Sequence, residues 1–438
     1  MIEVIKKYLK SNVIKNSLWL ILDKALRLLC GLFIGSWVAR YLGAEQYGLM
    51  SFAVSYAAVF ISFSMLGIDN LVIRDLAKSK IDNDKILGTA IRIRNIGSIF
   101  TAIFSCLAAY LFYHDNNKFL LLVMILMIGN VFQSFDVLSL WYQAKVESKI
   151  IVINKLIAYS FIQVCRIVAI YMKAEILCFV ILSVAEYLIG IVLLMRWAVV
   201  KDKINIIKWK FSLGLAKSYL FEGWKLAISN FSIIIFMKID QIFLGTMLGN
   251  KAVGIYSVAA LISDILYSIP IFIAASTFPK FVQLYENEEE SYRKYVLKIF
   301  LLMVVYSYIS IAGIWLLIDD FIKILYGNEY ILAADIAKIH SITLLFVAIG
   351  CIRGNMLIIE HKITVLSIIT IFGSVLNIIL NYFLIPVFDI FGAAIAVLIS
   401  QMIVCYVSGI FYKDLHWIFK CQTKAILLYP CIRYLMKK

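Results

Sequence analysis

YLGAEQYGLMSFA at residues 41–53 returns as MLGNKAVGIYSVA at residues 247–259, an offset of 206 positions, and the reading of that pair decides the architecture. Leu42, Gly43, Gly48, Ser51 and Ala53 match Leu248, Gly249, Gly254, Ser257 and Ala259. Five identities alone are weak evidence, but twice the offset is 412, where the last long apolar stretch of the chain ends. Each copy then holds six apolar stretches. Because six is even, both copies enter a membrane in the same orientation and are related by an axis along the membrane normal. In both, the glycine pair stands where one stretch ends and the next begins, which suits a tight turn.

Working outward, the apolar stretches fall at about 13–38, 47–66, 87–112, 118–138, 150–172, 175–198, 218–237, 254–275, 296–318, 330–352, 363–385 and 390–412. Of the 438 residues, 63% are hydrophobic and 16% charged, against roughly 25% charged in soluble domains. Most of this chain is therefore solvated by lipid. Stretches near 20 residues without alternation are helices, since in a bilayer core only helices and closed barrels satisfy every backbone polar group. The expected class is an all-α integral membrane protein of about 12 transmembrane helices, arranged as two parallel-repeat six-helix bundles around a central cavity. The domain reading is an N-terminal bundle at 1–200, a basic linker at 201–217, a C-terminal bundle at 218–412 and a basic amphipathic tail at 413–438.

The net charge of +15 has to be read against the membrane before any nucleic acid is considered. Outside the stretches, Lys and Arg concentrate on the termini and even-numbered loops, which places both termini in the cytoplasm by the positive-inside rule. The odd-numbered loops are short, leaving no extracytoplasmic domain. The linker VVKDKINIIKWKFSLGLAK at 199–217 interleaves Ile and Trp with Lys and reads as a segment lying in the headgroup layer. Its partner would be anionic lipid and not nucleic acid. The basic amphipathic N-terminus lacks a small-residue cleavage site and reads as retained. The eight cysteines show no paired spacing, and His114, His340, His361 and His416 are scattered, so no disulfide framework, metal site or cofactor is expected.

Ionisable groups inside the stretches cost roughly 2.5–3.5 kcal/mol each at a helix centre, so they should face the protein interior or snorkel. At 100° per residue they fall on polar stripes. Asn16, Asp23 and Arg27 share one face of the first stretch with Lys24 at its edge, and Arg94, Ser98, Thr101 and Ser105 share a face of the third. The fifth carries Lys155, Tyr159, Gln163 and Arg166, and the seventh Glu222, Lys225 and Ser229, continued by Asp240. Asn377 and Asn381 lie on the eleventh. Such stripes suggest a water-filled cavity whose cations Lys24, Arg27, Arg94, Arg166 and Lys225 bind an anionic cargo, with Asn16, Asp23, Tyr159, Gln163, Ser229, Asn377 and Asn381 as polar lining. The alternative is that Asp23 with Arg27, and Glu222 with Lys225, are local ion pairs at helical spacing. Glu186, Glu222, Asp240 and Asp264 are candidate carriers of a coupling proton or sodium ion, or else neutralise neighbouring bases.

ARYLGAEQYGLMSFA at 39–53, KIDQIFLGTMLGNKAVGIYSVA at 238–259, FPKF at 278–281, LYGNEY at 325–330 and NIILNYFLIPVFDIFGAAIA at 377–396 form an ordered set. It resembles the polysaccharide-export branch, typified by Wzx-type O-antigen flippases, of the multidrug/oligosaccharidyl-lipid/polysaccharide (MOP) exporter superfamily. The resemblance spans residues 13–412 and implies a fold like that of MATE exporters and the lipid II flippase MurJ. It also implies an undecaprenyl-diphosphate-linked oligosaccharide as cargo, the bacterial cytoplasmic membrane as location, and polysaccharide polymerase machinery as a partner. Basic groups suit a diphosphate, and hydroxyl, amide and aromatic groups suit a sugar. Two other classes stay open: an ion-coupled small-molecule or drug exporter of the same fold, and a membrane polysaccharide polymerase or ligase. The enzyme reading is weakened by the short outer loops.

Overall fold

The computed structural model describes residues 12–78, 81–205, 208–412 and 415–429, with the side chains of 12–18, 20, 21, 225 and 229 outside the described set. It is helical throughout. The helices are α1 (Asn12–Ser64), α2 (Asp69–Lys78), α3 (Asn83–Tyr113), α4 (Asn117–Gln133), α5 (Val137–Ala144), α6 (Ser148–Tyr171) and α7 (Ile176–Val200), followed by α8 (Leu213–Met247), α9 (Asn250–Asn287), α10 (Glu289–Leu325), α11 (Leu332–Ile359), α12 (Ile363–Phe388), α13 (Ile390–Met402), α14 (Ser408–Phe411) and α15 (His416–Ile426). A π turn at Ile403–Val407 joins α13 to α14. Among the described residues, ten helices are long and apolar enough to cross a membrane, and the α4–α5 pair, bent by 43°, has the length and composition of a broken span or a re-entrant loop. The helix α1 carries two of the twelve apolar stretches, because Gly43 interrupts it at φ 74°, ψ 167°.

Burial runs opposite to that of a water-soluble helix. On α3 the polar stripe Arg94, Ser98, Thr101 and Ser105 is buried, while Ile96, Phe100, Ile103 and Phe104 stand outward, Phe100 at 70% exposure. An apolar exterior is what lipid requires. Inside, where lipid exclusion gives little drive for association, hydroxyl and amide hydrogen bonds tie helices together. Thr101 Oγ1 accepts from Asn130 Nδ2 at 3.3 Å, Ser64 Oγ donates to Asn130 Oδ1 at 3.1 Å, and Tyr56 donates to the Ser105 carbonyl at 3.0 Å. Thr101 is thereby tied to α4, whereas Ser98 Oγ donates back to the Asn95 carbonyl of its own helix at 2.9 Å and Ser105 Oγ has no partner among the described residues.

Two compact units emerge, one of Met1–Leu42 and Leu49–Ile234, the other of Gly43–Gly48 and Ile235–Lys438. In the first, a buried cluster gathers Ile68, Leu71 and Leu76 with Ile86, Val137 and Tyr142, and with Trp209 and Tyr219. The linker is thus held to the protein at Trp209. The Trp209 ring is buried, and the Lys210 amide donates to the Asp84 carbonyl at 3.1 Å and the Ser212 amide to Thr89 Oγ1 at 3.0 Å. Trp209 buries against protein, while Phe211 and Leu213 stand exposed.

In the second unit, α15 completes the core. Leu415, Ile418 and Ala425 are fully buried against Val296, Phe300 and Ile352. Gln422 Nε2 donates to the Cys405 carbonyl at 3.1 Å, within the π turn, where the i→i−4 ladder is interrupted. The tail helix is therefore docked on protein.

The repeat is visible in the backbone. Gly249 has φ 87°, ψ 179°, the conformation of Gly43, in a region open essentially to glycine alone. The second glycine of each copy has a different task from the turn expected of it. Gly48 and Gly254 are helical and lie where the two helix starts cross: a Cβ on Gly48 would stand 1.8 Å from the Asn250 carbonyl oxygen, and one on Gly254 2.1 Å from that of Ala44. Positions 44 and 250 are themselves equivalent under the 206-residue offset, so the crossing repeats itself with the copies exchanged. Small residues four apart permit such an approach.

Candidate functional site

In the first unit, α1, α6 and α7 converge on Arg27. Asp23 and Arg27 are one turn apart on α1, and Arg27 Nε donates to Asp23 Oδ1 at 3.0 Å. Its Nη1 donates to Glu186 Oε1 on α7 at 2.5 Å, and its Nη2 reaches the Lys155 carbonyl at 3.4 Å. The Tyr159 ring centre lies 4.7 Å from the guanidinium carbon, and the Tyr159 hydroxyl donates to the Arg27 carbonyl at 3.2 Å. Lys155, one turn before Tyr159 on α6, pairs with Asp136 at 2.7 Å, in the break between α4 and α5. Further along α6, Arg166 donates to Ser183 Oγ at 2.9 Å and makes no ion pair among the described residues. Between them, Gln163 is buried with both amide atoms lacking a partner among the described residues.

This cluster is less cationic than the stripes suggested. Two carboxylates share Arg27 and a third holds Lys155, so the polar group left for an anion is Arg166 with the Gln163 amide. Arg94 is enclosed at 4% exposure, with Nη2 3.0 Å from Met65 Sδ and Nη1 unpartnered among the described residues. Its electrostatic neighbour is Asp69, the first residue of α2, whose carboxyl burial pushes above the usual carboxylate range while Arg94 opposes the shift. Lys24 is exposed. The side chains of Asn16, Lys225 and Ser229 lie outside the described residues. Glu222 pairs with Arg74 at 2.9 Å.

The second unit holds a separate polar centre that joins α8, α9 and α12. Asp240, 4% exposed, accepts at Oδ1 from Asn381 Nδ2 at 2.8 Å and Asn377 Nδ2 at 3.2 Å, and at Oδ2 from the Tyr256 hydroxyl at 3.1 Å. It makes no ion pair among the described residues. Asp264 is a second acid beside Tyr256. An intramembrane carboxylate held by neutral donors is costly unless a proton or cation joins it, which makes Asp240 a candidate site. The individual stripes were readable from sequence. The missed residues are Asp136, at a bend where no helical face applies, and the buried Arg353 on α11, which donates to Ser408 Oγ at 2.8 Å.

The sequence model described as polysaccharide biosynthesis protein matches residues 13–285, well over half of the chain. The chain belongs to that family. A second model, MatE, matches residues 226–383, and together they place this polysaccharide biosynthesis protein in the polysaccharide-export branch of the MOP superfamily. It is similar to the capsular polysaccharide biosynthesis protein CapF of Staphylococcus aureus, 22% identical over 92% of this chain and 99% of the relative. It is also similar to a putative O-antigen transporter of Shigella flexneri, 23% identical over 88% of this chain and 94% of the relative. The fold is that of the lipid II flippase MurJ in an inward closed conformation, with a TM-score of 0.73 at 14% identity over 97% of this chain and 93% of that one.

Proposed function

We propose that this polysaccharide biosynthesis protein is a flippase, not an enzyme. Its cargo is an undecaprenyl-diphosphate-linked oligosaccharide, such as an O-antigen or similar repeat unit, moved from the cytoplasmic to the outer leaflet of the bacterial cytoplasmic membrane by alternating access. Both termini lie in the cytoplasm. The observation that carries this reading is the Arg27–Tyr159–Gln163–Arg166 grouping inside a lipid-solvated bundle. It combines a cation without an acidic partner, an unpartnered amide and an aromatic ring, which together suit a diphosphate joined to a sugar. Arg166 and Gln163 take the diphosphate first. Arg27 follows as the phosphate charge competes with Asp23 and Glu186. Lys24 and Lys225 extend the cationic path, and Arg94 orders Asp69. Asp240 and Asp264 form a second coupling centre for a proton or sodium ion. Anionic lipids and polysaccharide polymerase machinery are the partners.

The test is flipping of a purified lipid-linked oligosaccharide by the full chain in proteoliposomes. Each uncompensated negative charge leaving a negative-inside compartment gains about 2.3 kcal/mol per 100 mV, so an imposed potential should accelerate flipping. Equal rates with and without the potential remove that driving force from the mechanism. Arg166→Ala should lower the rate about tenfold, the worth of one charge-assisted phosphate contact, at a normal membrane level of protein. A variant that flips as the wild type does would move the headgroup site elsewhere.

A second reading, an ion-coupled drug exporter on the same fold, draws on Asp240, since a buried acid also suits an organic cation. Transport of a fluorescent cation, with surface glycan intact in a strain lacking the protein, would favour it.

A further inference from the structure

A cavity of about 500 Å³ in the second unit takes no part in the site described above. Its size falls within the roughly 300–1,000 Å³ of small-molecule pockets. Six residues line it: Tyr285 near the end of α9, Glu289, Tyr292 and Arg293 in the first turns of α10, Glu360 after α11, and Trp417 in α15. All come from segments whose charge pattern assigns them to the cytoplasmic side.

The chain builds the cavity by breaking between α9 and α10 at Glu288, φ −150° and ψ 96°. The break sets Tyr285 against Tyr292 edge-on, ring centres 5.3 Å apart, and α15 brings Trp417 to 5.9 Å from Tyr292. Three rings thus wall one space. The charges around them are already matched. Glu360 Oε2 accepts from Lys362 at 2.8 Å, with the carboxylate only 7% exposed, and Arg293 pairs with Glu289 at 2.7 Å while its guanidinium lies 5.3 Å from the Trp417 ring centre. A charged ligand would therefore break existing pairs for little gain. Hydrogen-bonding capacity is left over, since a carboxylate offers about four acceptor directions and a guanidinium five donors.

A ligand with apolar C–H faces and a rim of hydroxyls uses both features, the rings on its faces and the carboxylate and guanidinium edges on its hydroxyls. That is a neutral sugar ring. We propose that this cavity is a glycan-reading subsite, which holds a neutral sugar of the lipid-linked oligosaccharide on the side of the membrane where it is assembled. The inference rests on the flippase reading. Two carboxylates at the cavity would repel the diphosphate, so this subsite reads the glycan while the first-unit site handles the phosphates.

The experiment uses the purified full chain and a panel of methyl glycosides, comprising a hexose, a deoxyhexose and an N-acetylhexosamine, with saturation-transfer NMR as readout. At least one glycoside should give a signal with the wild type, lose it in Tyr285→Ala, and keep it in Tyr285→Phe, which retains the ring and reports on folding. Glu289→Gln, on an exposed side chain, should weaken the same signal. In proteoliposomes, Tyr285→Ala should raise KM for the lipid-linked substrate about fivefold, the loss of one stacked ring. No glycoside signal with the wild type, or a signal that persists in Tyr285→Ala, overturns the subsite. Failure of the flippase reading shows separately, as a wild type that flips no lipid-linked glycan at all.

Discussion

Gly254→Val is expected to deplete the membrane of folded protein, with Gly48→Val close behind. A Cβ at Gly254 would lie 2.1 Å from the Ala44 carbonyl oxygen and one at Gly48 1.8 Å from that of Asn250, and in both cases the obstruction is backbone, which no rotamer change relieves. Overpacking costs about 1–3 kcal/mol where side chains can yield, and here the helices themselves must separate, so the upper end or beyond applies. Thermal unfolding of the purified variants should show a loss of several degrees, and membrane immunodetection a corresponding loss of protein. Gly313→Ala is the control. Nothing lies within 4 Å of a Cβ there, and replacing a mid-helix glycine should be neutral or stabilise by up to about 1 kcal/mol. Wild-type stability in both valine variants would mean that the crossing contributes nothing to the fold.

Asp240→Asn should separate transport from folding. The amide has nearly the shape of the carboxylate, and its one carbonyl oxygen can accept from some of Asn377, Asn381 and Tyr256 but lacks the charge that a proton or cation would join. Export of surface glycan in a complemented strain should fall at least about tenfold, which corresponds to about 1.4 kcal/mol, while the unfolding temperature shifts by a few degrees at most. Asp240→Ala strands three donors and should damage both, since each hydrogen bond to a charged group contributes about 1.5–3 kcal/mol. If Asp240→Asn exports at the wild-type rate, the centre is structural and the coupling charge lies elsewhere.

The helices and their order were legible because hydropathy and period are local properties. The twelve apolar stretches fall on helices, with 118–138 divided by the bend between α4 and α5 and 390–412 running through the π turn, and Gly43 marks the break inside α1. Helical faces were also legible, so Asp23 with Arg27, and Asn377 with Asn381, stood out as stripes. Which stripes meet was not. Glu186 reaches Arg27 across 159 positions and Asn381 reaches Asp240 across 141, and only packing determines such pairs. Thr101 shows the ambiguity of a stripe, since a polar face on a membrane helix reads the same whether it lines water or binds a neighbouring helix. In the linker, Trp209 among lysines has the composition of a lipid-facing residue, and its burial depends on α2, α5 and α8 being assembled with it.

The crossing at Gly48 and Gly254 has the form of an isologous contact, in which residue i of one copy meets j of the other and j meets i. A chain of half this length, with one copy of the motif, would present the same patch twice around a two-fold axis and pair with itself as a homodimer. Duplication and fusion would then preserve the patch while releasing the rest of each copy to diverge. In this chain Asp23, Arg27 and Glu186 stand in one copy, and Asp240, Asn377 and Asn381 in the other.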